Sequence, residues 1–73
     1  MKIAVVYNSE TGAIITAATS SGNIAPEFEE GDDVLDVPNP EIWAETFKEE
    51  ESLGGAVLSS CRVNEAADNI ELI

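Results

Sequence analysis

The chain has 73 residues, 15 acids against three bases, no histidine and a formal charge of −12. Its length allows one domain, residues 1–73, which buries only about 60% of the surface its unfolded chain exposes. The charge argues against direct binding to nucleic acid or to an anionic membrane, both of which need Lys and Arg to neutralise phosphate.

Residues 2–7, KIAVVY, are rich in β-branched and aromatic types. Ile3, Val5 and Tyr7 share one face of the predicted strand, and Ala4 and Val6 share the other. Residues 13–19, AIITAAT, read as a second strand, with Ile15 and Ala17 opposite Ile14 and Thr16. Both faces of the first strand are apolar, so a cover on each side is expected, from a helix or from another subunit. The joining segment NSETG suits a type I turn closed by a left-handed glycine, with Asn8 bonding its own turn and Gly12 supplying the positive φ.

Residues 20–33 form a predicted loop, opened by Ser, Gly, Asn and Pro and closed by acids; Ile24 and Phe28 are expected to dip back onto the core. Residues 33–37, DVLDV, read as a third strand with Leu35 and Val37 on one face and Val34 and Asp36 on the other. A helix over about 40–53 follows. Asn39 is its predicted N-cap, Pro40 its first residue, and Gly54 and Gly55 its stop. Glu49, Glu50 and Glu51 oppose the dipole at its C-terminus, so fraying there or a basic partner is expected. Residues 56–64 read as a fourth strand with Val57, Ser59, Cys61 and Val63 on one face, and residues 70–73 as a short last one. The expected fold is α+β: a small antiparallel or mixed sheet of 4–5 strands with one helix packed on it.

The missing histidine removes Ser/His and Cys/His nucleophilic pairs and the commonest zinc sets. Gly54, Gly55, Ser59 and Ser60 lack the spacing and lysine of a phosphate loop. The densest acid cluster, EFEEGDD at residues 27–33, lacks the alternation of an EF-hand. No catalytic, metal or cofactor residues are assigned. Cys61 is the only cysteine, so no internal disulfide forms; it reads as a small buried residue and suits a reducing cytosol. Ordering entropy of about 1.5 kcal/mol per residue nearly cancels what so small a core supplies. A partner or self-association is the expected extra source of stability. No signal peptide is read at the start, and no apolar run approaches the roughly 18 residues of a membrane span.

The candidate partner-binding residues are Glu27, Phe28, Glu29, Glu30, Asp32 and Asp33, then Trp43, Phe47, Glu49, Glu50 and Glu51. The acids suit a basic protein surface. Trp43 and Phe47 lie four apart on one helix side, which suits a core or an interface anchor.

The stretch AVVYNSETGAIITAAT, followed by an acidic gap and GDDVLDVPNP, resembles a set of small bacteriophage proteins often associated with tails. Their pattern is a strand ending in Tyr, a polar D/N-x-E-T-G turn, a strand starting with Ile, a variable loop, and a Gly-acid-x-x-Leu-x-Val strand. The resemblance rests on Tyr7, Asn8, Glu10, Thr11, Gly12 and Ile14, then Gly31, Leu35 and Val37, in the first half of the chain. It implies a virion-associated structural role without catalysis, with other copies or other virion proteins as partners and the virion or the host cytoplasm as location. The alternative is a small acidic inhibitor. It would mimic nucleic-acid charge and occupy the basic cleft of a host defence or transcription protein.

Overall fold

The computed structural model describes residues 1–22 and 29–73. The expected positions of Ile24, Glu27 and Phe28 lie outside them. Strand β1 (Lys2–Asn8) is the middle of a three-stranded antiparallel sheet, flanked by β2 (Ile14–Ser20) and β3 (Asp32–Asp36). Two helices follow, α1 (Pro40–Thr46) and α2 (Leu53–Ser60), then a second antiparallel pair, β4 (Cys61–Val63) with β5 (Ile70–Leu72). The α+β class is as expected, but the strands divide into two sheets and the helical part into two helices.

The central place of β1 follows from its composition. Ile3, Ala4, Val5, Val6 and Tyr7 are all buried, so this strand is covered on both faces. Ile3, Val5 and Tyr7 face the core with Val37, Val57, Cys61, Val63 and Ile70. Each fully buried aliphatic of this set stabilises the fold by about 1.5–3 kcal/mol. Leu35 packs against the same cluster and Val34 does not, which matches the face expected for β3.

In β2 the expected faces change over at its start. Val6 stands opposite Thr16 while Tyr7 stands opposite Ile14, so Ile15 is the extra residue of a β-bulge. The bulge turns Ile14 onto the core beside Ala17 and leaves Ile15 exposed. Strict alternation assigns Ile15 to that face and cannot register the insertion.

The helix expected over 40–53 stops at Thr46. Its last turn carries no basic residue, and Glu49, Glu50 and Glu51 would extend it against its own dipole. Turns occupy residues 47–50 instead, the Glu50 N–H donating to the Phe47 carbonyl at 3.0 Å. Asn39 stands at the N-cap, yet its side chain makes no capping bond.

The fourth strand expected over 56–64 begins only at Cys61, because residues 53–60 are helical. Ser52 caps α2, its hydroxyl accepting from the Gly55 N–H at 3.1 Å. Leu53, Val57 and Cys61 recur at helical spacing toward the core, while Ser59, assigned to the same face by the strand reading, is exposed. Gly54 starts the helix rather than ending one. A Cβ there would stand 3.1 Å from the Ala17 carbonyl oxygen, so the missing side chain lets α2 lie close against β2. No described helix is long and apolar enough to cross a membrane.

Candidate functional site

The polar turn at residues 8–12 is built by its own side chains. The Asn8 Oδ1 accepts from the N–H of Glu10 at 2.9 Å and of Thr11 at 3.1 Å. The Gly12 N–H donates to the Asn8 carbonyl at 2.8 Å, and Gly12 has φ +78. Ser9 joins this tip to the start of β3, its hydroxyl donating to the Gly31 carbonyl at 2.9 Å.

A second polar loop, residues 64–69, joins β4 to β5. The Asn64 side chain organises it: Oδ1 accepts from the Asp68 N–H at 3.1 Å and Nδ2 donates to the Asp68 carboxylate at 2.8 Å. The Ala67 N–H donates to the Asn64 carbonyl at 3.0 Å, and Ala67 sits at φ 56, where a Cβ is disfavoured. The two loops meet because the Val63 N–H donates to the Gly12 carbonyl at 2.9 Å.

Arg62 lies at that junction, with a shallow cleft on either side. One cleft, about 230 Å³, runs between the two loops and is polar, its walls including Glu10, Thr11, Asn64 and Glu65. The other, about 300 Å³, is mainly apolar, lined by Thr11, Ala13, Ile14, Leu58, Cys61 and Ile73 along with Arg62. Arg62 is half-buried, and its Nε donates to the Val63 carbonyl at 3.5 Å. Glu71 stands directly opposite it in the β4–β5 ladder, yet the two make no ion pair. Among the described residues the only ion pair is Lys48 with Glu45, at 3.1 Å on the surface.

Two titratable groups at these clefts, Cys61 and Tyr7, are shifted by their surroundings. Burial pushes the Cys61 thiol up from its ordinary value, which favours its protonated form. Tyr7 is likewise raised, first by burial and then by the facing Asp33 carboxylate. The Ser59 hydroxyl donates to the Gly55 carbonyl. Among the described residues no group of three acids or cysteines is placed to hold a metal ion.

Those residues singled out from the sequence that the structure describes lie elsewhere. Glu29, Glu30, Asp33, Glu49, Glu50 and Glu51 are exposed and Asp32 is half-buried on β3. Trp43 and Phe47 stack with ring centroids 6.0 Å apart and pack against the core, half-buried. Sequence reasoning missed Arg62, Leu58 and Ile73. The available signal was that Arg62 is the only arginine of the chain. Comparison of the chain with protein-family models, with curated proteins and with solved structures gives no match.

Proposed function

We propose that this chain is a non-enzymatic subunit of a larger assembly and works through protein–protein contacts. The observation that carries this reading is the apolar cleft, where exposed Leu58 and Ile73 converge with half-buried Ile14. Apolar side chains gathered at one place on a surface mark contact sites. The small core supports the same reading, because a domain of this size gains stability from a neighbour.

The assembly we propose is a bacteriophage particle, with the chain as a tail, neck or capsid accessory. This rests on the resemblance carried by Tyr7 to Gly12 and by Gly31, Leu35 and Val37. The turn at Asn8 and the positive φ of Gly12 and Gly31 (+78 and +93) give that pattern a backbone reason in this chain. Sedimentation of the purified protein and mass spectrometry of particles whose genome encodes it test the proposal. The expected result is the chain in purified particles at a fixed ratio to the other subunits. A stable monomer that is missing from the particles would end the reading.

The acidic-inhibitor reading keeps one specific observation in its favour. Asp33, Asp36, Glu49, Glu50 and Glu51 are all exposed, and the described residues offer them no ion pair. The two readings separate by salt. A complex held by mimicry of phosphate charge weakens steeply as salt rises, whereas an apolar contact does not.

A further inference from the structure

We propose that the apolar cleft docks a protein segment carrying a carboxylate beside an apolar side chain, with Arg62 as the carboxylate's anchor. This rests on the contact-making role above and names the chemistry of the partner. Three observations carry it. Among the described residues Arg62 is the only charged side chain lining this cleft, and its neighbours there include Ile14, Leu58, Cys61 and Ile73. In a chain of 15 acids, Arg62 holds no carboxylate among the described residues, although Glu71 faces it across the ladder. Its guanidinium turns instead toward the β1–β2 tip, with Nη2 3.7 Å from the place of a Cβ on Gly12. A guanidinium has five N–H donors in a planar fork. Its one hydrogen bond among the described residues, at 3.5 Å, leaves that fork available to a bidentate partner.

Size and charge select among occupants. A cleft of about 300 Å³ stands at the lower edge of small-molecule sites and has room for one or two side chains. A second copy of this chain brings a further charge of −12 against the first, which opposes self-docking. A lysine-bearing segment would meet Arg62 as a like charge. A segment with an acid next to Leu, Ile or Val satisfies both the fork and the apolar walls.

The test is an NMR titration of the full chain, ¹⁵N-labelled, with three peptides: acetyl-Leu-Glu-Leu-amide and its Gln and Lys counterparts. The Glu peptide should move the amides of Ala13, Ile14, Leu58 and Arg62 and bind about fivefold or more tightly than the Gln peptide, as one half-buried ion pair gives. Arg62→Gln should erase that difference, Arg62→Lys should keep part of it, and Leu58→Ser should weaken both peptides alike. An unchanged dispersion of amide signals shows that each variant is folded. No shifts at the cleft up to the solubility limit, equal affinities in the parent chain, or preference for the Lys peptide would overturn the proposal. A dimer that Leu58→Ser dissolves would also overturn it, placing a second copy in the cleft while leaving the contact-making role standing. Peptide binding by a chain that is missing from particles would have the reverse meaning, sinking the phage assembly and sparing the cleft.

Discussion

Gly12 is the residue on which the junction of the two loops turns. Its φ of +78 is open to glycine at little cost, and a Cβ there would stand 2.6 Å from the Val63 carbonyl oxygen. That oxygen belongs to backbone and cannot swing aside. Gly12→Ala should therefore cost about 2 kcal/mol or more, above the roughly 1 kcal/mol of an αL penalty alone. Urea denaturation of the two proteins measures it, and equal midpoints would refute the close approach. Ala67 presents the converse case, a side chain held at φ 56 by the Asn64 network. Ala67→Gly should stabilise by about 0.5 kcal/mol, the strain relieved exceeding the entropy glycine adds to the unfolded chain. Cys61 and Tyr7 set the alkaline limit. Both are raised in the folded chain above ordinary values of 9.0 and 10.0. Below 9.0 their stabilising contribution is complete. It is lost as pH rises toward the folded values, because the unfolded chain releases those protons first. The melting temperature should fall from about pH 9 upward, and Cys61→Ala should flatten the first part of that fall. A flat profile in the parent chain up to about pH 11 would contradict the burial of both groups.

At the scale of elements, α2 separates the two glycines that open it. Among the described residues a Cβ on Gly55 meets only the Ser52 side chain, at 3.4 Å, whereas one on Gly54 meets the backbone of β2. Gly55→Ala should stabilise by about 0.5–1 kcal/mol through helix propensity. Gly54→Val should destabilise by more than about 1 kcal/mol through the crowding of α2 against Ala17. Thermal melts followed by circular dichroism decide it; a strand at 56–60 would give neither result. The same element shows why part of the fold was legible and part was not. The β1–β2 hairpin could be read because its turn is made by residues within it, Asn8 bonding Glu10 and Thr11 while Gly12 takes the positive φ. The helix α2 could not. Val57 and Cys61 fit a helical face, but Val57, Cys61 and Val63 also fit a strand, and the pair of glycines reads locally as a stop. Its capping by Ser52 and its contact with Ala17, across 37 positions of the chain, decide the outcome. The apolar cleft is illegible for a similar reason, since Ile14, Leu58, Arg62 and Ile73 come from four separate elements or ends. Ile14 also owes its place to a bulge that periodicity does not register.

For the molecule as a whole, charge is the term with the longest reach. The radius of gyration is 11.1 Å, and the formal charge of −12 sits on a surface whose described residues hold one ion pair, both partners exposed. An exposed pair of this kind contributes about 0–1 kcal/mol, too little to offset the repulsion among the remaining acids. At about 0.02 M salt the screening length is about 20 Å, longer than the molecule's own radius, so every acid opposes every other. At about 0.5 M it shrinks to about 4 Å and only immediate neighbours interact. The melting temperature should therefore rise by several degrees between about 0.02 and about 0.5 M sodium chloride. Attraction dominates in a chain with balanced surface pairs, and the same addition then lowers the melting temperature or leaves it still. A falling curve here would mean that the acids are matched by partners within the fold, which would remove the basis for reading Arg62 as a guanidinium waiting for a carboxylate from outside. A rising curve together with tighter docking of the Glu peptide at low salt than at high salt would separate the two roles of charge. The field of the whole chain opposes compaction, while one cation at the cleft attracts over a few ångströms.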